Sequence, residues 1–160
     1  MVFFIIIGLT LEAYWVINND HMEARHDIFA RLLALYWPAD RSYRVPGHDI
    51  AKAFPIALES VNAFVTQWFD ILLIWAIVRG KRWRPTLQLI VATYTGYGNF
   101  LYYYVGHLSG YGNFEYRGTY PFLMFYLANL PWFAGCVWLM YDAIRELQRP
   151  SPAASAQAGK

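Results

Sequence analysis

The chain has 160 residues, a length typical of a single domain. Hydrophobic residues make up 58% of it and charged residues only 15%, which is too little charge to cover the surface of a water-soluble domain. A net charge of +2 without a long basic block disfavours nucleic-acid binding, and the single cysteine, Cys136, excludes an intrachain disulfide. The composition therefore indicates a multi-pass membrane protein.

The first apolar run begins at the second residue and contains an acid. It reads VFFIIIGLTLEAYWVIN over 2–18, at the lower limit of the length that spans a bilayer, with Glu12 inside it. The stretch lacks the basic start and the small-residue cleavage site that mark a secretory signal peptide. We therefore predict a helix that the mature protein retains.

Three further runs have the length and apolar character of spanning helices: 54–78, 86–105 and 119–141. Pro55 falls in the first turn of the second run, where a missing N–H costs least, whereas Pro131 should kink the fourth run. Helices buried in a soluble core are the rival interpretation, but four such runs leave too few residues to solvate a globule. The predicted fold is all-α, a polytopic membrane bundle of four transmembrane helices.

The connections between these runs differ in charge, and the difference predicts the topology. The short second loop, RGKRWR, holds four basic residues, and Arg145 and Arg149 follow the fourth run. Basic residues in short loops favour the cytoplasmic side. We therefore expect the second loop and both termini in the cytoplasm, and the third loop, 106–118, in the lumen or outside.

The first loop, 19–53, is long and polar, with balanced charge. Within it, the segment 24–37 (ARHDIFARLLALYW) repeats apolar residues at helical spacing, which predicts an amphipathic helix on the membrane surface. At the other end, the tail 150–160 is small, polar and rich in Pro and Ala, a composition typical of disorder. The predicted transmembrane domain covers 1–149.

Eight polar side chains fall inside the predicted spans: Glu12, Glu59, Asn62, Gln67, Asp70, Gln88, Asn99 and Asn129. Such groups are costly in lipid unless they face a polar interior, so each is a candidate for function. Intramembrane amides often only bond one helix to the next, which is the alternative for Gln67, Gln88 and Asn99. Asp70 lies closer to a helix end, where headgroups or a basic partner are an equal alternative.

Helical phase arranges these groups in stripes. At about 100° per residue, the polar positions of the second span fall within roughly 80° of one another. The third and fourth spans each carry a comparable stripe of polar and aromatic side chains. We expect the stripes to converge on one cavity; their members are Glu59, Asn62, Thr66 and Asp70, then Gln88, Thr95, Asn99 and Tyr102, then Phe122, Phe125, Asn129 and Trp132.

Two carboxyl groups in one small bundle indicate acid–base chemistry. A buried carboxylic acid that stays protonated can act as a general acid and a nearby carboxylate as the base, which are the roles that Glu12 and Glu59 suggest. Aromatic faces, that of Trp132 above all, stabilise cations in ligands or in transient carbocations. The histidines of HMEARHD do not form an HExxH motif, so we expect no metal, and no cofactor fingerprint is present.

The order of these features resembles the emopamil-binding protein family. The resemblance rests on a glutamate in the first span, LES-VNA in the second, YG-N-LYY in the third and N-x-x-W in the fourth, with LYWPADRSY in the first loop. It extends over about residues 5–147. That family includes the sterol Δ8–Δ7 isomerases and shares the EXPERA domain with proteins of the sigma-2 receptor type.

The resemblance implies a cavity that opens sideways to lipid. There a sterol double bond is protonated, a carbocation forms, and a proton leaves the neighbouring carbon. Glu12 and Glu59 match the two acids of the family. Asn129 matches an asparagine that orients an acid, and Trp132 matches the tryptophan whose face supports the cation.

The expected substrate contacts are Asn62, Thr66, Asn99, Tyr102 and Phe125. Asn99 stands where the family has an aspartate. Gly8 is the main departure, because the isomerases carry a histidine there, one turn before the first acid. The isomerases also have one more helix ahead of this domain.

These features predict a membrane isomerase that shifts a double bond in a sterol or related terpenoid without a cofactor. The alternative is a non-catalytic protein that binds or transports sterols or cationic amphiphiles, which the missing histidine favours. A third hypothesis is an enzyme that isomerises or cyclises another terpenoid. We expect membrane lipid and a small apolar molecule as partners, a homodimer as one arrangement, and the endoplasmic reticulum as the location in a eukaryote.

Overall fold

The computed structural model describes residues 1–46 and 50–149, and the secondary structure of these residues is helical, with no strand among them. The predicted disordered tail, 150–160, lies outside this part of the chain. In the described part of the chain, five helices form the bundle and its edge, and a short 3-10 helix, Arg41–Tyr43, lies in the first loop. α1 comprises Val2–Ile7, a π-helical segment Gly8–Glu12 and Ala13–Asn18, and ends in a 3-10 turn, Asn19–Ala24; α2 is Ile28–Ala34; α3 comprises Ile50–Val61, a π-helical segment Asn62–Thr66 and Gln67–Val78; α4 is Arg84–Leu108; α5 is Thr119–Leu147.

Three of these helices are long and apolar enough to cross a membrane, over Val2–Ala24, Lys52–Val78 and Thr119–Leu147. Helices of this kind characterise an integral membrane protein. The predicted third span lies within α4, which has the necessary length of 25 residues. Its glycines, tyrosines and buried polar groups make α4 less apolar than the other three helices. Its hydropathy therefore does not mark it as a membrane-crossing helix.

α1 and α3 pack against each other at their two π-helical segments. A π turn contains one residue more than an α turn and is often found at functional sites. Gly8, at the start of the first segment, is buried against the side chain of Gln67, and a Cβ at position 8 would overlap that amide. The absent side chain therefore allows the close approach of the two helices.

α4 and α5 form a long antiparallel hairpin that is joined by polar side chains near one end. The amide of Gln88 donates to the carbonyl of Leu139 at 2.9 Å and to Asp142 at 3.0 Å, and Arg84 pairs with the same carboxylate. Gln88 thus bonds one helix to the next, as the alternative interpretation of this amide predicted. α5 continues through Pro131 as one helix.

The first loop folds over one end of the bundle. Asp27 caps the N-terminus of α2 by accepting hydrogen bonds from the backbone of Phe29 and Ala30. Backbone bonds from Arg41 to Asn113 and from Glu115 to Pro38 then attach this loop to the third loop. The two loops together hold residues 36–43 against the bundle.

One predicted position is wrong in detail. α3 begins at Ile50 rather than at residue 54, so Pro55 lies in the second turn of the helix and not in the first. The helix begins earlier because Lys52 is anchored: its ammonium is almost fully buried and donates to the carbonyl of Asn19 and to Asp20. These contacts join the start of α3 to the end of α1.

Candidate functional site

Four helices and the first loop meet around a small polar cavity inside the bundle. Its volume is about 30 Å³, and we call it the acid cavity. The residues that line it are Glu12 of α1, Tyr43 of the first loop, Leu58, Glu59 and Asn62 of α3, Thr95, Asn99 and Tyr102 of α4, and Asn129 and Trp132 of α5. Both predicted acids therefore lie in one site.

The two acids reach the cavity through the π-helical segments. Glu12 is the last residue of the first segment, and Glu59 lies one turn before the second. Their carboxyl groups are close enough to interact with each other. The pairing of the two π-helical segments is thus what places two carboxyl groups face to face.

Three oxygen atoms on the wall of this cavity are buried and have no hydrogen-bond donor among the residues that the structure describes. They are Oε2 of Glu12, Oε2 of Glu59 and Oδ1 of Asn99. An ionised carboxylate and an amide oxygen only accept hydrogen bonds. Such a group of acceptors needs a proton on one carboxyl or a donor on a molecule within the cavity, because buried acceptors without donors are costly.

Glu59 has one donor, the hydroxyl of Tyr43, at 2.6 Å. Tyr43 is itself held by Trp15 of α1, whose ring lies 4.3 Å from the tyrosine ring, centroid to centroid. The indole N–H of Trp15 also donates to the carbonyl of Tyr43 at 3.1 Å. The fully buried Trp15 therefore fixes a loop residue at the acid on α3.

Asn129 takes part in a chain of hydrogen bonds that runs from α5 to the first loop. Its amide donates to the carbonyl of Phe125 at 2.7 Å and to the hydroxyl of Tyr36 at 3.0 Å. Tyr36 contacts the hydroxyl of Tyr102 at 2.9 Å, and Tyr102 donates to Asp40 at 2.5 Å. The amide is thus oriented by partners on both sides.

Trp132 forms the aromatic wall of the acid cavity. Its ring stacks on Phe4 of α1 with the centroids 4.4 Å apart and the planes inclined by 27°. Gly135 permits this contact, because a Cβ there would overlap the ring of Phe4. One face of the indole is therefore occupied by a hydrocarbon neighbour, which fixes the ring at the cavity.

A second, more apolar cavity of about 180 Å³ adjoins the first, and we call it the access cavity. It shares Tyr43, Glu59, Asn129 and Trp132, as well as Glu12, with the acid cavity. The rest of its wall is largely apolar and comes from α1, α2, the segment after α2, and α5: Ile7, Leu11, Trp15, Leu32, Leu33, Tyr36 and Ala128. The carboxyl groups therefore lie where a polar space meets an apolar one.

Seven of the nine predicted site residues line the acid cavity: Glu12, Glu59, Asn62, Asn99, Tyr102, Asn129 and Trp132. Thr66 does not reach it. Its hydroxyl donates to the carbonyl of Val61 at 3.3 Å, and it lies in an apolar groove between α3 and α4. The extra residue of the π-helical segment changes the phase that a regular helix predicts for this position.

Phe125 also lies elsewhere, in the aromatic cluster beneath the loops. Its ring stacks on Tyr102 with centroids 5.2 Å apart and meets Tyr103 edge-on. It supports the wall of the acid cavity from behind and lines a third cavity of about 40 Å³, which we call the loop cavity.

Sequence reasoning missed three residues of the first loop: Tyr36, Asp40 and Tyr43. Helical spacing indicates only an apolar position of an amphipathic helix for Tyr36, and it assigns no place to Asp40 or Tyr43. The LYWPADRSY stretch contains all three, and a tyrosine, an acid and a tyrosine at such short spacing in a loop were the available signal.

Asp70 and Gln67 are buried in the bundle further along α3. Among the described residues, neither Oδ1 of Asp70 nor Oε1 of Gln67 has a hydrogen-bond partner. Asp70 is therefore not solvated, and neither residue lines the acid cavity.

The fold and the site define an integral membrane protein whose helical bundle encloses two facing carboxyl groups beside an apolar cavity. Residues 28–143 match the family model described as EXPERA (EXPanded EBP superfamily), and the chain belongs to this family. The family includes sterol isomerases and sterol-binding proteins. No curated protein matches the chain. The family match begins after α1 and does not include Glu12. Its place in the site is therefore known from the geometry of the cavity.

Proposed function

We propose that this protein is a membrane-embedded isomerase that shifts a double bond in a sterol or a related terpenoid. The observation that carries the proposal is the acid cavity, in which Glu12 and Glu59 share one space with Asn129 and Trp132. Membership of a family that includes sterol isomerases supports it. The reaction needs no cofactor, because one carboxyl supplies a proton and the other removes one.

The hydrogen bonds suggest which acid has which role. Tyr43 donates to Glu59, and a donated hydrogen bond favours the ionised form of a carboxylate. Oε2 of Glu12 has no donor among the described residues. Glu12 then acts as the general acid that protonates one alkene carbon, which leaves a carbocation at the other carbon.

Glu59 then removes a proton from the carbon next to the cation, and the electrons of that C–H bond form the new double bond. Trp132 presents its π face to the positive charge, and Asn129 holds the geometry of the site. The substrate gains one proton and loses one, so the balance closes. The proton returns from Glu59 to Glu12 before the next turnover.

The size of the site bears on how the substrate enters. Pockets that hold drug-sized ligands have volumes of about 300–1,000 Å³, whereas the access cavity measures about 180 Å³. Binding therefore requires the cavity to widen. α2 forms one wall with Leu32 and Leu33, and a displacement of this short helix opens the bundle sideways to lipid.

The proposed topology adds α4 as a fourth span, with 1–149 as one transmembrane domain. The second loop and the C-terminus lie in the cytoplasm, since basic residues cluster there. The first and third loops lie on the opposite side. In a eukaryotic cell this arrangement fits the endoplasmic reticulum.

Conversion of a Δ8-sterol tests the activity. Membranes that contain the protein are supplied with the sterol, and the Δ7 product is measured by mass spectrometry. We expect product from the wild type and none above background from Glu59→Gln, whereas Glu115→Gln, an exposed acid in the third loop, retains activity. Absence of turnover in the wild type, with no change in the sterol or terpenoid profile of a host that carries Glu59→Gln, would falsify the enzyme proposal.

One observation favours a second function, binding without catalysis. Gly8 brings no imidazole to Glu12, and the amide of Gln67 fills that space. A receptor or transport protein for sterols or cationic amphiphiles needs the cavity and not the proton transfer. Equal ligand binding by the wild type and by the Glu12→Gln, Glu59→Gln double variant, without product, supports this function. Product from a non-sterol scaffold supports a different terpenoid enzyme.

A further inference from the structure

A continuous chain of side chains links the acid cavity with the loop cavity. Asn129 donates to Tyr36, the hydroxyl of Tyr36 lies 2.9 Å from that of Tyr102, and Tyr102 donates to Asp40. Because Tyr36 already accepts from Asn129, its own proton is free to point towards Tyr102. All hydroxyl protons of the chain can therefore point in one direction, towards the carboxylate of Asp40.

We propose that Asp40, Tyr102 and Tyr36 form a proton path that connects the two acids with water on the loop side of the bundle. This inference rests on the proposed function and deepens it. It assigns a role to the first loop, namely to exchange protons between the acid cavity and the solvent. Asp40 is a positioning and relay residue and does not touch the substrate.

The outer end of the path lies at the loop cavity. Asp40 and Tyr102 both line this cavity, together with polar groups of the third loop such as Asn113 and Ser109. At about 40 Å³ the cavity exceeds the volume of about 10–15 Å³ that one water requires. Water in it has polar partners on two sides, so Asp40 can exchange a proton there although its side chain is buried.

The inner end of the path lies at the acid cavity. Tyr102 lines this cavity as well as the loop cavity, so one side chain separates the two. The oxygens without donors on Glu12, Glu59 and Asn99 face the same space. A volume of about 30 Å³ holds a water that donates to these oxygens. Such a water carries a proton the last step between Tyr102 and a carboxyl.

The surroundings of Asp40 suit a group that gains and loses a proton. Burial raises the pKa of this carboxyl, and hydrogen bonds from Ser42 and Tyr102 oppose the rise. The titratable groups that face it from the neighbouring elements are Tyr102 of α4, Tyr36 and Tyr43 of the first loop and Glu59 of α3. No cation is among these groups in the described part of the chain, so none pairs with Asp40 and holds it ionised.

Infrared spectroscopy of the protein in lipid nanodiscs tests the path without a substrate. Protonated buried carboxyls give a C=O band that shifts when the sample is moved into D2O, and the rate of that shift measures proton exchange. Asp40→Asn keeps an oxygen that accepts from Tyr102 but cannot relay a proton. We expect a several-fold slower shift in Asp40→Asn than in the wild type.

Asp27→Asn is the matched control, because it makes the same change in the same loop at an acid outside the path. It should exchange at the wild-type rate. Tyr102→Phe is the second test variant: it removes the hydroxyl that joins the two cavities while the ring remains on Phe125, so a folding defect of Asp40→Asn does not prevent the test. Wild-type exchange rates in both Asp40→Asn and Tyr102→Phe overturn the proposal.

Turnover in D2O gives the second readout. With an open path, the proton removed from one substrate is exchanged with the solvent before it is delivered to the next, so the product carries deuterium at the protonated carbon. In Asp40→Asn we expect a several-fold smaller deuterated fraction, since the acids recycle the substrate's own proton. An unchanged fraction contradicts the path. If the wild type does not turn over substrate, the proposed function fails, and the infrared rates still decide whether the path exists.

Discussion

Gly8 and Gln67 fill one space between them: the amide of Gln67 occupies the volume into which a side chain at position 8 would project. This contact sits where the two π-helical segments meet and beside the acid on α1. The side chain that fits at position 8 therefore depends on the size of the side chain at position 67. Stability measurements on variants of both residues can test this dependence.

Gly8→Ala should destabilise the protein, because the new methyl group overlaps a buried amide. Overpacking of this kind costs about 1–3 kcal/mol. Thermal unfolding in detergent, with intrinsic tryptophan fluorescence as the signal, measures the loss. In the double variant Gly8→Ala, Gln67→Ala the methyl group no longer overlaps an amide, so its stability should be close to that of Gln67→Ala alone. Additive losses of stability from the two changes would show that the residues do not compete for space.

Tyr43→Phe should weaken catalysis more than folding. The change removes the hydroxyl that donates to Oε1 of Glu59 and leaves the ring on Trp15. A hydrogen bond to a charged group contributes about 1.5–3 kcal/mol. We expect kcat/KM for a Δ8-sterol to fall by the corresponding factor. Tyr120→Phe, which removes a hydroxyl bound to a loop carbonyl, is the control and should leave kcat/KM near the wild-type value.

Trp132→Phe should discriminate between charged and neutral ligands. Phenylalanine keeps an aromatic ring beside Phe4 but presents a weaker π face to a cation than tryptophan does. We expect the affinity for a protonated amine of sterol shape to fall by about 0.5–1 kcal/mol more than the affinity for the neutral sterol. Competition binding in nanodiscs measures both, and equal losses would mean that the indole only packs.

The stability of the protein should depend on pH through Asp40. Burial raises the pKa of this group in the folded state above the unfolded value of about 3.9. Its contribution to the free energy of unfolding is therefore fully present below that value and is lost as the pH rises through the folded-state pKa. Asp40→Asn should flatten this part of the profile.

Unfolding temperatures of the wild type and of Asp40→Asn between about pH 4 and pH 8 check this sign. Asp27 provides the opposite case, because hydrogen bonds, that of Tyr14 first, lower the pKa of its carboxyl. The contribution of Asp27 is lost only as the pH falls through its lowered value. If the wild type and Asp40→Asn lose the same stability as the pH rises towards neutral, Asp40 is not the cause of that loss.

Much of the site follows from periodicity, because intramembrane polar groups must face the bundle interior. This rule placed Glu59 and Asn62 beside Asn99, Asn129 and the acid of α1. It failed at Thr66, since a phase of 100° per residue assumes an α-helix and α3 contains a π turn immediately before Gln67. Nothing in the composition of Asn62–Thr66 distinguishes it from a regular turn.

The loop residues could not be placed by any helical phase. Asp40 and Tyr43 enter the bundle because backbone bonds pair the first loop with the third, as from Arg41 to Asn113, at a separation that no local pattern encodes. The hydropathy of α4 is a similar case. Its interior side carries Gln88, Thr95 and Asn99, and these polar residues lower the hydropathy of the whole helix.

The two π-helical segments make the site depend on residue count as well as on residue type. Each contains one residue beyond the regular repeat, so a regular α-helix with the same number of residues would turn the part of α1 that follows the segment by about 100°. The acid would then leave the cavity although the composition of the span stays the same. The width of one helical turn, and not only the identity of residue 12, therefore decides whether a carboxyl group lies beside Glu59.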